Sequence, residues 1–350
     1  MPKTYGFGVI GAGMIGNFHA EAIKQLPNAK LVAVCDDVAG AADRYAKKHG
    51  CAAVTGLDGM FSRSDIDVVT VATPSGTHAD LAIAAAQHGK HAIVEKPLDI
   101  TLAKIDAAIE AHAKSGTSLG GIFNGRFLPT ARLLKKAVAD GRFGRMTFGM
   151  AYGPWWRDQG YYDQGGWRGT WKLDGGGAYM NQGIHTVDLL QWLMGPVRCV
   201  KASTTTIAHQ RIEVEDTGAA VIEFASGAIG TMACTTSMWP GHFRIVEVSG
   251  TDGTVAMADQ SFFFWQFRAE KPEDQQIREK YLQFPAVSIG AANPSAGMTA
   301  DGHRDNFASF LKAVDEKRTP EIDGTEARKA VQTILAIYES ARTGKTVTLG

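Results

Sequence analysis

The sequence predicts an α/β protein, with a doubly wound parallel sheet in its N-terminal part and an antiparallel sheet beyond it. Three observations carry this. Strand-like and helix-like segments alternate with short links up to residue 123, a glycine-rich turn joins the first strand to the first helix, and after residue 195 strand-like segments follow one another without helices between them.

Residues 5–10 form a short apolar run that predicts a buried strand, 11–16 punctuate it, and 17–26 predict a helix. A second strand is predicted over 30–35. A helix over 39–49 follows, with Ala41, Ala42, Tyr45 and Ala46 suiting one face. Strands are then expected over 68–72, 91–95 and 119–123, with helices over 79–88 and 102–114, so that right-handed crossovers place helices on both faces of the sheet. The pattern changes after Asn124. A helix is predicted over 129–140, then a stretch rich in glycine and aromatics over 152–177, then a helix over 179–194 stopped by Gly195-Pro196. Strands are expected over 198–207, 217–224, 228–236, 244–249 and 254–257, with Ser226-Gly227 and Thr251-Asp252-Gly253 as turns. Residues 290–302 are expected to be a mobile loop of small residues, 301–314 and 325–341 helices, and 346–349 a last short strand.

A chain of 350 residues, 45% apolar and 21% charged, exceeds what one core usually serves, and two domains are expected, 1–123 and 124–350. Lys plus Arg (36) equals Asp plus Glu (36), a balance that argues against nucleic acid or an anionic membrane as the main partner. Cys35, Cys51, Cys199 and Cys234 show neither metal-site nor redox spacing, so no metal is expected and the thiols read as reduced, in a cytoplasmic protein. No signal-peptide pattern or membrane-length apolar run is expected either.

The first chemical motif is Gly11-Ala12-Gly13-Met14-Ile15-Gly16, a GxGxxG hexapeptide between strand and helix. Gly11 permits the tight turn, Gly13 lets the backbone approach a pyrophosphate, Gly16 allows close helix–strand packing, and the helix start favours phosphate. Asp36, twenty residues beyond Gly16 at the end of the second strand, suits ribose hydroxyls and repels a 2′-phosphate. With Asp37 rather than Arg beside it, the cofactor read is NAD rather than NADP.

Two further segments fall at carboxyl ends of strands, where ligands bind in open α/β sheets: Thr73-Pro74 through His78, and Glu95-Lys96-Pro97. Lys96 there is either a proton-handling group beside a nicotinamide ring or a surface lysine in a turn. Residues 175–188 open a helix after three glycines and place Asn181, His185 and Asp188 at i, i+4 and i+7 on one face. His185 suits general acid/base work, whereas the Asn181 amide serves as a hydrogen-bonding partner only. A core histidine is the bland alternative.

In this order the motifs at 11–16, 36, 73–78, 95–97 and 175–185 resemble those of the Gfo/Idh/MocA oxidoreductases, over nearly the whole chain. The resemblance implies an N-terminal NAD-binding Rossmann domain and a C-terminal α/β domain with a large open, mostly antiparallel sheet. It implies that Lys96 belongs to an EKP motif with a cis Lys96–Pro97 peptide, and that His185 is the catalytic histidine. Relatives often carry Asp where this chain has Asn181, which shifts proton handling toward Lys96 and His185. It further implies a homodimer or homotetramer, since the open sheets of relatives commonly form such interfaces. The implied activity is NAD-dependent hydride transfer at a secondary hydroxyl or ketone carbon of a sugar, cyclitol or derivative. An NAD-retaining glycoside hydrolase and a non-catalytic NAD- and sugar-binding regulator are the alternatives.

The stretch 153–177 holds Trp155, Trp156, Trp167 and Trp171 of the seven tryptophans, interleaved with Arg157, Arg168 and Lys172. Aromatic faces stack on sugar rings and cations bind hydroxyls, carboxylates or phosphates, so Tyr152, Arg157, Trp167 and Arg168 join Asn181 and His185 as substrate candidates. An interface loop is the alternative. Arg126 resembles a family position near the substrate, with an interdomain salt bridge as its other reading.

Overall fold

The structure is a computed structural model that describes residues 3–284 and 299–350. Among these the chain groups into two compact units. The first runs to Asn124 and takes in Thr299–Arg328; the second begins at Gly125 and takes in Lys329–Gly350. The two sequential blocks expected from the sequence are thus modified by one C-terminal segment that returns to the first unit.

The first unit is built on a six-stranded parallel sheet: β1 Tyr5–Ile10, β2 Ala29–Cys35, β3 Ala52–Ala53, β4 Val68–Val71, β5 His91–Val94 and β6 Leu119–Gly121, in the order β3-β2-β1-β4-β5-β6. The order reverses between β1 and β4, the switch point at which doubly wound sheets open a crevice beyond their carboxyl ends. All six residues of β1 and all four of β4 are buried, as continuous apolar runs covered on both faces require. The helix Met14–Lys24 returns over the sheet. The helix Asp301–Asp315 supplies Phe307, Phe310 and Leu311 to the same core as Phe7, Val9 and Ile23, with the Phe7 and Phe307 rings stacked 5.7 Å apart. That apolar face holds residues 299–328 in the first unit. The segment 290–302 falls outside the described residues up to 298; its last two positions, Asp301 and Gly302, already belong to this helix.

The second unit is built on an eight-stranded sheet. Its strands are β7 Met146–Pro154, β8 Val197–Thr205, β9 Thr217–Phe224, β10 Ile229–Thr235, β11 Ile245–Gly250, β12 Gly253–Ala258, β13 Ser261–Phe267 and β14 Val347–Thr348. They lie in the order β13-β12-β11-β7-β10-β9-β8-β14. All pairs are antiparallel except β7 with β10. One face is covered by the helix Ile184–Met194, against which β7 places small residues: a Cβ on Gly149 would stand 3.0 Å from Leu190 and Met194. The opposite face is open. The register aligns Val221, Thr231, Met150, Glu247, Ala256 and Phe264 across it; Ala256 is buried, whereas Val221 (54%), Ile229 (51%) and Phe264 (45%) are exposed. No helix among the described residues is long and apolar enough to cross a membrane.

Candidate active site

Two glycines of the turn after β1, Gly11 and Gly16, have separate steric reasons. Gly11 sits at φ 103°, and a Cβ there would lie 2.5 Å from the Ala72 carbonyl oxygen; a Cβ on Gly16 would lie 2.1 Å from the Gly11 oxygen. A Cβ on Gly13 would meet nothing within 4 Å, so this backbone borders open space. Gly13 caps the helix Met14–Lys24 without a side-chain bond, leaving amides at the helix start for an anion; Met14 is exposed and Ile15 half-buried beside them. Asp36 ties β2 to this turn: its Oδ2 accepts the Ala12 N–H at 2.6 Å and its Oδ1 the Val38 N–H at 2.8 Å. These features fit a dinucleotide, with room at Gly13 for a pyrophosphate and a carboxylate at Asp36 for ribose hydroxyls.

The turns after β4 and β5 end on the same sheet edge and are cross-linked. The His78 ring bonds the Pro97 oxygen through Nδ1 (2.7 Å) and the Thr73 oxygen through Nε2 (2.8 Å), while Pro74 carries the Thr77 N–H (3.0 Å). The Lys96–Pro97 peptide is cis, and Lys96 is half-buried. Glu95 is buried, and its side chain turns inward. Oε1 accepts from His19 Nε2 (3.1 Å) and His303 Nε2 (2.9 Å), and Oε2 accepts the Lys96 N–H (3.0 Å). Burial alone would raise the Glu95 carboxyl, but the two histidine hydrogen bonds outweigh it and hold the group well below the usual carboxylate range. Burial lowers His19, whose Nδ1 accepts from the Thr70 hydroxyl at 2.9 Å. These three side chains bring metal-capable atoms within 4.8 Å of one another, yet both imidazoles address one carboxylate oxygen at hydrogen-bond distance. They act as a clamp on the backbone of Lys96, and neither histidine was singled out in the sequence. His19 could have been, as a polar residue three positions after Gly16 on the sheet-facing side of the helix.

In the second unit the expected helix over 179–194 begins as a π-helical turn, Ala178–Gly183, before the α-helix Ile184–Met194. The wider turn breaks the expected i, i+4, i+7 stripe. Asn181 and His185 are half-buried. Asn181 Nδ2 donates to Asp174 Oδ1 at 2.7 Å, and Asp174 Oδ2 accepts the Gly169 N–H at 2.9 Å. Asp174, unnoticed in the sequence although it directly precedes the three glycines, therefore orients the Asn181 amide with its oxygen directed the other way.

Asp188, one turn beyond His185 in the α-helix, is engaged elsewhere. It pairs with Arg126 (Nε to Oδ2 2.8 Å, Nη2 to Oδ1 2.6 Å), both side chains being 2% exposed, with the guanidinium over the Trp192 ring. This pairing favours a structural part for Arg126 inside the second unit over the substrate reading. Tyr152 lies apart from Asn181 and His185 in the sheet. Strand alternation turns Gly149, Ala151 and Gly153 toward the helix and Tyr152 to the open sheet face, beside Met238 and His242. Arg157 is buried over Trp155 and Tyr161, and Arg168 lies over Tyr161 and Trp167.

A second residue missed in the sequence is Glu215. Buried on the turn before β9, it accepts the N–H groups of Gly177 and Tyr179 (each 2.9 Å) and the Tyr338 hydroxyl (2.9 Å), which anchors the start of the π turn. Burial pushes its carboxyl up from 4.5 to about 7, against those three hydrogen bonds. The folded state therefore takes up a proton that the unfolded state releases between those values, and stability falls as pH rises through 7. The stability difference between the wild type and Glu215→Gln, from urea midpoints at pH 4.5 to 8, is expected to shrink with rising pH. A constant difference would mean that this carboxyl does not titrate there.

Comparison with known proteins agrees with this geometry. Residues 5–121 match the model of an oxidoreductase family with an NAD-binding Rossmann fold, and residues 131–256 that of the GFO/IDH/MocA C-terminal domain. Inositol 2-dehydrogenase of Rhizobium meliloti is 30% identical over 264 residues, 73% of this chain and 76% of that protein. 2,7-Anhydro-N-acetylneuraminate hydratase of Mediterraneibacter gnavus is 25% identical over 97% of this chain and 95% of that protein. The crystal structure of the WlbA dehydrogenase from Bordetella pertussis, in complex with NADH and UDP-GlcNAcA, superposes with a TM-score of 0.89 at 33% identity, covering 100% of this chain and 99% of that one.

Proposed function

Because the chain belongs to the Gfo/Idh/MocA oxidoreductase family, we propose that it is an NAD-dependent dehydrogenase acting at a secondary hydroxyl, or in reverse a ketone, of a sugar, cyclitol or sugar derivative. The observation that carries this reading lies within the first unit. The open glycine turn after β1, the Thr73–His78 turn after β4 and Lys96 after β5 share one edge of a parallel sheet with the strand order of dinucleotide-binding folds.

Bound NAD supplies the hydride acceptor. The backbone of Gly11, Gly13, Met14, Ile15 and Gly16 receives its pyrophosphate and Asp36 its ribose, which disfavours a 2′-phosphate. Thr73, Pro74 and His78 shape the neighbouring wall. Lys96 holds the reacting hydroxyl, takes or relays its proton and stabilises the developing alkoxide. Glu95 serves this step by fixing the Lys96 backbone rather than by touching the substrate. His185 is the second proton-handling group, and Asn181, oriented by Asp174, accepts a substrate hydroxyl.

The test is a panel of free sugars, cyclitols, anhydrosugars and nucleotide sugars with NAD, followed by absorbance of the reduced cofactor. At least one member is expected to give net NADH. The hydratase among the relatives favours one second reading, in which NAD is retained: product would then form without net NADH. Binding with no turnover of any member would leave only a regulator.

The reading includes a cytoplasmic setting, supported by the four free cysteines. It also includes a homodimer or homotetramer, supported by the apolar side chains on the open sheet face. A monomer by light scattering at working concentration would remove the latter.

A further inference from the structure

Two of the three cations of the aromatic stretch in the second unit, Arg157 and Arg168, are arranged around Tyr161. Arg168 Cζ lies 4.5 Å from the Tyr161 ring centroid and Arg157 Cζ 5.4 Å from it, so two guanidiniums share one ring. Arg168 makes no ion pair among the described residues. Its Nη1 reaches the carbonyls of Tyr161 and Gln164, each at 3.4 Å, and its Nε, like the indole Nε1 of Trp155, is buried without a hydrogen-bond partner among the described residues. Arg157 is 4% exposed, and burial chiefly, with the like charge of Arg168 adding to it, depresses its pKa. The nearby carboxylate of Asp174 already binds the Gly169 N–H and the Asn181 amide, and it offsets at most one of the two charges. A buried and a half-buried guanidinium this close, with the Arg168 Nε unanswered among the described residues, cost free energy unless an anion offsets the charge.

The cluster also adjoins the candidate chemistry. Gln182, next to Asn181 in the π turn, donates from Nε2 to the Tyr161 hydroxyl at 2.9 Å, and Asp174 links Asn181 to the same loop. We propose that Arg168, backed by Arg157, is the receptor for an oxyanion carried by the substrate, a carboxylate or a phosphate, so that acidic sugars and not neutral ones are the preferred ligands. Planar guanidinium donors match the geometry of either group, and an anion placed there relieves the repulsion between the arginines. This deepens the dehydrogenase reading and rests on it for the reaction, though not for binding.

The test compares matched pairs on the NADH-loaded full chain by titration calorimetry: UDP-GlcNAcA against UDP-GlcNAc, D-glucuronate against D-glucose, and D-glucose 6-phosphate against D-glucose. The acidic member of at least one pair is expected to bind about ten- to a hundredfold more tightly, the range for a charge-assisted hydrogen bond. The preference is expected to weaken with salt, to fall to parity in Arg168→Met, and to be partly kept in Arg168→Lys; thermal melts check that both variants fold. The carboxylate pairs and the phosphate pair separate the two sources. Parity in every pair for the wild type, binding of no member of any pair, or an undiminished preference in a folded Arg168→Met, would overturn the proposal. A preference for the acid without NADH formation from the same compound and NAD would instead count against the dehydrogenase reading alone.

Discussion

Lys96→Ala is expected to lower turnover by about 10² to 10⁴, the usual span for removing a general acid or base, while NADH binding by fluorescence stays close to wild type. The second half of this expectation follows from how the turn is held. The Lys96 backbone N–H holds the loop through Glu95 Oε2 at 3.0 Å, and alanine keeps that N–H. Glu95 is in turn gripped by His19 and His303, and the Pro97 oxygen by His78. Truncation at Cβ therefore removes the ammonium while keeping these backbone and Glu95 contacts. The glycine turn and Asp36, which serve the dinucleotide in the proposed reading, are bonded to β2 and not to Lys96. Steady-state rates on the best substrate of the panel, set beside a cofactor titration, check both halves. Unchanged turnover would remove Lys96 from the chemistry; loss of cofactor binding together with turnover would make it a structural residue.

What the sequence made legible was chemistry confined to one turn. Gly11, Gly13 and Gly16 could be given separate duties because each duty depends on backbone close at hand, and the steric distances follow those duties. The strand over 217–224 was readable because its buried and exposed positions alternate. Strand β7 was not, because Gly149, Ala151 and Gly153 face the packed helix with small side chains, Gly149 where Leu190 and Met194 leave little space, which erases the apolar signal. Strand β13 was hidden for the opposite reason: Phe262 and Trp265 are buried while Phe264 is exposed, so apolar residues fall on both faces. The pairings that build the site are distant in sequence, His303 with Glu95 and Glu215 with Tyr179 and Gly177, and no local periodicity encodes them. The helix Asp301–Asp315 was recognisable as amphipathic, but nothing in its own residues says which core receives Phe307 and Phe310.

Asp188→Ala is expected to destabilise the second unit by about 3–5 kcal/mol, because it strands the Arg126 guanidinium at a site where both partners are 2% exposed. The double variant Arg126→Met/Asp188→Leu is expected to recover most of that loss, since apolar groups of similar volume remove the charge along with its partner. Urea unfolding followed by tryptophan fluorescence checks both, with Trp192 beneath the guanidinium as a local reporter. The pair also has a functional consequence. Asp188 lies one turn beyond His185 on the helix Ile184–Met194, so the ion pair holds the segment that carries the histidine. The recovered double variant should therefore fold yet lose part of its turnover, with little change in cofactor affinity. If Arg126 instead met the substrate, Arg126→Met alone would raise KM while leaving the urea midpoint in place, and Asp188→Ala would cost little stability. Those two patterns do not overlap, so one pair of unfolding curves and one pair of rate curves decides whether this arginine serves the fold or the ligand.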